Sequence, residues 1–129
     1  MTLKTGTLHV HIVDDDASVR KGLSRLMRSA GIESHAYESP ESFLAEVHNE
    51  GHACILMDIT MPRMSGLELG AQLREKGITL PMIAISAHDD DDTRHLARDL
   101  GVRFFLRKPV DDQALLDAIS WVVQGDESP

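Results

Sequence analysis

Five short, mostly apolar runs, each followed by a longer stretch of helical spacing, constrain the fold more than any other feature of the chain. The runs are His9–Val13, Glu33–Ala36, Cys54–Met57, Met82–Ile85 and Arg103–Leu106. Strands that alternate with helices build a parallel sheet covered on both faces, and strands buried on both sides read as continuous apolar segments. The second run is the most polar, which suits a sheet edge. The first helix is expected to follow Asp16 as its N-cap, with Val19, Leu23, Leu26, Met27 and Ala30 on one stripe before Gly31 ends it. Ser39-Pro40 opens the second, because proline in the first turn gives up no helical hydrogen bond. The third runs from Ser65 to Lys76, with Leu67 and Leu73 inward and Gly77 at its exit. A fourth covers Asp91 to Leu100, stopped by Gly101. The fifth runs from Asp112 to about Val123, with Leu115, Leu116, Ile119 and Val122 apolar.

A length of 129 residues is that of one compact α/β domain. Residues 1–124 are read as that domain and residues 125–129 as a linker or frayed tail, since the tail has no core-forming side chain. The formal charge of −8 argues against non-specific nucleic-acid binding, which needs clustered Lys and Arg. A single cysteine, Cys54, excludes an intrachain disulfide and sits in an apolar run as a small buried hydrophobe. Neither a signal peptide nor a membrane span is expected, so a reducing cytoplasm is the expected setting.

In a sheet of this kind ligands sit outside the carboxyl ends of the strands. There the sequence turns polar: the first strand ends in Asp14-Asp15-Asp16, the third in Asp58, the fourth in Ser86 and the fifth in Lys108-Pro109. Crowded carboxylates repel one another unless a cation is present, and an oxygen-only donor set favours a hard ion such as Mg²⁺. An aspartate that attacks phosphorus needs an in-line approach and charge neutralisation on the equatorial oxygens, for which Lys108 and Ser86 are suited. Each element has an ordinary explanation by itself: turn, cap or solvated loop. Their coincidence at one rim is what suggests chemistry.

With these residues the chain resembles the receiver domain of two-component response regulators. The stretch Asp58-Ile59-Thr60-Met61-Pro62-Arg63-Met64-Ser65-Gly66-Leu67-Glu68 is similar to that family's phosphorylation loop, preceded by its acidic pair and followed by its Ser/Thr and Lys-Pro signatures. The resemblance implies a flavodoxin-like (βα)5 three-layer sandwich with a five-stranded parallel sheet in the order 2-1-3-4-5. It also implies that Asp58 accepts a phosphoryl group from a sensor histidine kinase. Asp15, Asp58 and the backbone carbonyl of Thr60 would hold Mg²⁺ directly, and Asp14 through water. Lys108 would pair with the phosphoryl group, Ser86 would swing toward it, and Phe105 would occupy the aromatic switch position on the fifth strand. Phenylalanine there lacks the hydroxyl of the tyrosine common in relatives, so the switch is expected to be less strongly coupled. The expected output surface is the face of the fourth helix, fifth strand and fifth helix, commonly used for dimerisation on phosphorylation. The charged stretch Asp89 to Asp99 would either form reciprocal pairs across such a dimer or be a solvated helix with a favourable acidic start.

Val19-Arg20-Lys21-Gly22-Leu23, Ser39-Pro40-Glu41-Ser42-Phe43-Leu44 and Asp112-Gln113-Ala114-Leu115-Leu116 are similar to the FixJ-like branch of transcriptional regulators. That branch usually adds a DNA-binding domain, so this domain by itself would make no direct contact with nucleic acid and none with a membrane. A single-domain receiver or phosphorelay module, and a degenerate receiver that is never phosphorylated, are the alternatives within the family. A haloacid-dehalogenase-like phosphotransferase with Asp14 as nucleophile is the enzyme-class alternative, but it leaves the stretch from Asp58 to Glu68 unexplained. Among seven histidines, His9 and His11 alternate on a strand while His48, His52, His88 and His95 are dispersed, so no transition-metal motif is read.

Overall fold

The computed structural model describes residues 7–49, 51–60 and 66–124, with the side chains of residues 66 and 67 left aside. Five strands alternate with five helices: β1 (His9–Val13), α1 (Ala17–Ser29), β2 (Glu33–Tyr37), α2 (Pro40–Glu46), β3 (Ala53–Asp58), α3 (Gly66–Glu75), β4 (Met82–Ser86), α4 (Asp91–Leu100), β5 (Phe104–Arg107) and α5 (Asp112–Gln124). All four strand pairings are parallel, in the order β2-β1-β3-β4-β5. The fold is flavodoxin-like, as the resemblance implied. β2 is an edge strand, in keeping with its polarity.

Alternation of side chains along the strands feeds two separate cores. One packs Val13, Ile55, Met57, Met82 and Ala84 against Phe43, Leu44, Leu69, Leu73 and Ala97 of α2, α3 and α4. The other packs Val10, Ile12, Cys54, Leu56, Ile83 and Ile85 against Met27, Leu115, Ile119 and Val122 of α1 and α5. β3 and β4 are buried at every position because both of their faces are covered.

Local signals set the helix ends. Asp16 caps α1 by accepting from the amides of Ser18 at 2.8 Å and Val19 at 3.3 Å. Ser39 caps α2 through the Ser42 amide, with Pro40 in the first turn. Asp90 caps α4 through the Thr93 amide, and hydrogen bonds from the Thr93 side chain and amide hold its carboxyl below the usual carboxylate range. At the other end of α4, Gly101 takes the left-handed conformation (φ 76°) that an L side chain rarely adopts.

Several expectations are refined. The stripe of α1 is only half-buried apart from Met27, and Ala30 is exposed, because an open apolar cleft runs beside Val19, Gly22, Leu23 and Leu26. The inward pair described on α3 is Leu69 and Leu73; Leu69 was not anticipated. The expected helix start at Ser65, the side chain of Leu67 and the tail at 125–129 lie outside the described residues. On α5, Leu116 is half-buried while Leu115, Ile119 and Val122 are buried. β5 begins at Phe104 instead of Arg103.

Cys54 is fully buried, and burial pushes its thiol up to about 12. At pH 8 only about one thiol in ten thousand is then ionised, and alkylation requires the thiolate. Native protein should therefore resist iodoacetamide and react fully once urea unfolds it. Rapid labelling of the native state, followed by mass, would contradict the packing of the α1/α5 core.

Candidate functional site at the carboxyl rim of the sheet

β1 and β3 lie side by side in register, with Val13 opposite Met57, so the residues that follow leave the sheet next to each other. Asp14 and Asp58 are thereby brought together at the carboxyl rim, with 0% and 5% of their surface exposed. Lys108 reaches them from the end of β5: its Nζ donates to Asp14 Oδ2 at 2.9 Å and to Asp58 Oδ2 at 3.1 Å. The Lys108–Pro109 peptide is cis, and the Lys108 amide donates to the Ser86 carbonyl at 2.7 Å, tying the end of β5 to the end of β4.

The second oxygens of both carboxylates are also engaged. Asp58 Oδ1 accepts from the Thr60 amide at 2.9 Å and from the Thr60 hydroxyl at 2.8 Å. Asp14 Oδ1 accepts from the Asp16 amide at 2.9 Å, and Arg20 donates to the Asp14 carbonyl at 2.8 Å. Burial pushes the Asp14 carboxyl above its usual range; the Asp16 amide and Lys108 oppose that rise and the neighbouring Asp58 adds to it. Burial by itself would lower the Lys108 ammonium, but its hydrogen bonds to Asp14 and Asp58 carry it above its usual value. The lysine is held firmly charged between the two acids.

Asp15 is exposed and completes an acidic group in which carboxylate oxygens of Asp14, Asp15 and Asp58 lie within 4.8 Å of one another. Mg²⁺ bonds of about 2.0–2.1 Å place octahedral ligand oxygens roughly 2.9–4.2 Å apart, so small side-chain adjustments would suffice to coordinate it. The donors are all oxygen, and the fit is to a hard divalent ion.

Of the residues singled out in the sequence, Asp14, Asp15, Asp58 and Lys108 converge. Thr60 meets Asp58 through its amide and hydroxyl. Ser86 is fully buried at the end of β4, where its Oγ accepts from the His88 amide at 2.9 Å. Phe105 is half-buried against the core under α4, with the Arg94 guanidinium 5.0 Å above its ring centre. Arg94 also pairs with Asp89, so part of the acidic run serves α4 itself. Residues 61–65 of the loop-like stretch lie outside the described residues. Three contacts were missed in the sequence: Lys108 with Asp14, the two Thr60 donors, and Arg94 over Phe105. The second had a signal, since Asp and the residue two further on commonly form such local hydrogen bonds.

A sheet of this order, with three acids and a lysine gathered at its carboxyl rim, is a flavodoxin-like α/β architecture. Residues 10–120 match the response regulator receiver domain family. The transcriptional regulatory protein TdiR of Thauera aromatica is 39% identical over 118 residues, covering 91% of this chain and 52% of its own length. The transcriptional regulatory protein FixJ of Azorhizobium caulinodans is 36% identical over 113 residues, covering 88% of this chain and 54% of its own length. The crystal structure of FixJ-N superposes with a TM-score of 0.80 at 33% identity, covering 93% of this chain and 96% of that one. The chain belongs to the response regulator receiver domain family and is similar to its FixJ-like members. It spans about half the length of these curated relatives.

Removing the lysine leaves two buried carboxylates facing each other without a counter-charge. Lys108→Ala should cost about 1–3 kcal/mol at neutral pH, less than the 3–5 typical of a fully buried pair because Lys108 is partly solvated. Added Mg²⁺ should stabilise the variant more than the parent. Urea unfolding with and without Mg²⁺ measures both effects, and equal stability of the two proteins would contradict the bridging role.

Proposed function

We propose that the domain accepts a phosphoryl group on Asp58 from a sensor histidine kinase, in a Mg²⁺-dependent reaction, and converts the modification into a change of its α4-β5-α5 face. The observation that carries this reading is the Lys108 ammonium held between the buried Asp14 and Asp58. In the transfer, a carboxylate oxygen of Asp58 attacks phosphorus and the bond from phosphorus to the donor imidazole nitrogen breaks. The product is an acyl phosphate, and the departing imidazole takes up a proton. Hydrolysis of the acyl phosphate restores the carboxylate and releases inorganic phosphate.

Each residue has a role that its position supports. Asp15, Asp58 and the Thr60 carbonyl would hold Mg²⁺, with Asp14 acting through water; bound there, the ion supplies positive charge for the transferring phosphoryl oxygens. Lys108, already within reach of Asp58, exchanges a carboxylate partner for a phosphoryl oxygen. Thr60 fixes the Asp58 carboxylate through two hydrogen bonds. Ser86 turns from its place beside the His88 amide toward the phosphoryl group.

A phosphoryl group adds about −1.5 to −2 charge and three strong acceptors, enough to bias two arrangements of the β4–α4 segment. In this chain the aromatic at position 105 has no hydroxyl, and its movement is tied instead to Arg94, which stacks on the ring and pairs with Asp89. The face beyond carries Trp121, 63% exposed and packed edge-on against Phe104, which supports its use for dimerisation or output. The apolar cleft beside α1, bordered by Leu23, Leu26, Pro109 and Val110 and reaching Lys108, supports docking of the kinase next to the site. Transcriptional output is inferred from TdiR and FixJ. A cytoplasmic setting agrees with the buried free thiol and with the lack of any described helix long and apolar enough to cross a membrane.

Incubation with acetyl phosphate and Mg²⁺ should add one labile phosphoryl group, mapped by intact mass and peptide analysis to Asp58. Asp58→Asn should abolish it, and EDTA should suppress it. Modification at Asp14 would favour the phosphotransferase alternative, while none at all would favour a degenerate receiver. Ser86→Ala should still be modified, yet amide NMR shifts in α4 and β5 should respond much less than in the parent; an unchanged response would exclude Ser86 from the switch.

A further inference from the structure

The other end of β1 holds a second constellation, distant along the strand from the acidic rim. His9 and His35 come from adjacent parallel strands, and register places Glu33 opposite His9 and His35 opposite His11. His9, Glu33 and His35 thus stand on one face of the β1–β2 pair, at its amino end. His9 Nδ1 and His35 Nε2 are 3.0 Å apart. The ring centroids are 5.2 Å apart and the planes differ by 17°. That centroid spacing is close to the nitrogen gap plus two ring radii, so the imidazoles lie end to end within hydrogen-bond distance. His11 and Tyr37 back the arrangement: the His11 ring centre is 5.2 Å from that of His35 and 6.1 Å from that of Tyr37.

We propose that His9 Nδ1 and His35 Nε2, with the Glu33 carboxylate turned inward, form a binding site for a late first-row divalent metal ion. The metal takes these two nitrogens when each ring carries its proton on the other nitrogen, Nε2 of His9 and Nδ1 of His35. Metal–nitrogen bonds of about 2.0–2.1 Å span separations from roughly 2.9 Å at a right angle to about 4 Å when linear, so pivoting of the half-buried rings suffices without backbone change. Two nitrogens and a carboxylate form a donor set suited to Cu²⁺, Ni²⁺ or Zn²⁺, with Cu²⁺ tightest by the general affinity order, and unlike the all-oxygen acidic rim. The sequence hid this pair because its members are 26 residues apart and become neighbours only through parallel pairing of β2 with β1. A bound ion cross-links the edge strand to the sheet, stabilising the fold by mass action.

Cu²⁺ added to the untagged 129-residue protein provides the test, read by nitrogen hyperfine structure in electron paramagnetic resonance and by melting temperature. The expected result is one equivalent bound with coupling to two imidazole nitrogens and a raised melting temperature. His35→Phe retains a flat ring beside His11 and Tyr37, and His9→Gln retains a polar side chain. Each should lose the two-nitrogen signature and weaken binding by at least the ~10–100-fold that loss of an outer-shell partner costs. Melting curves without metal establish that each variant is folded. No bound Cu²⁺, binding with oxygen donors alone, or a two-nitrogen signal that survives in either folded variant would overturn the proposal.

Discussion

The ammonium of Lys108 lies between two carboxylates that water hardly reaches, and the rim of the sheet depends on that arrangement. Asp14 and Asp58 are pressed together because β1 and β3 are neighbours in a parallel sheet and both end at the same level. Without a cation their burial and mutual repulsion would go uncompensated. The end of β5 supplies the cation, and the hydrogen bond from the Lys108 amide to the Ser86 carbonyl fixes where that end sits. Three strands are therefore committed to the geometry of one charge cluster. Displacing one side of the cluster would be felt at β4 and β5, which is the physical basis of the proposed switch.

The same cluster explains why the resting site is poised. Every carboxylate oxygen of Asp14 and Asp58 accepts at least one hydrogen bond, yet the partners differ in how easily they are exchanged. Thr60 and the Asp16 amide are local and remain in place. Lys108 is long, partly solvated and free to follow charge. In the proposed function a divalent ion would take over the neutralising task at the acidic side, leaving the lysine available to a phosphoryl oxygen. Metal binding and phosphoryl transfer are coupled in this scheme through competition for the same carboxylates, with no need for a large movement of the backbone.

Much of this was legible in the sequence because the informative residues sit where local rules are strong. Apolar runs marked all five strands to within a residue or two, the second being the weakest and most polar. Asp16, Ser39 and Gly101 marked helix ends by chemistry that does not depend on tertiary context. The rim was legible because a parallel sheet obliges all strand ends to meet on one side, and the family resemblance supplied roles that spacing could not. What was hidden depended on rotamers and register. That Lys108 meets Asp14, that Arg94 covers Phe105, and that Thr60 turns both its donors onto Asp58 follow from side-chain directions that no periodicity encodes. The His9–His35 pair required knowing which residue of β2 stands beside which residue of β1. The burial of Leu69 was missed because the apolar spacing of α3 permits more than one inward stripe.

A crystal structure of the chain with Mg²⁺ and beryllofluoride, a stable mimic of the phosphoryl group, tests the central claim most directly. The account predicts beryllium bonded to Asp58, a metal ion between Asp15 and Asp58, and Lys108 Nζ drawn from Asp14 onto a fluoride. Beryllofluoride bound to Asp14 instead, or a Lys108 that stays bridged between Asp14 and Asp58 while the mimic sits on Asp58, would contradict it.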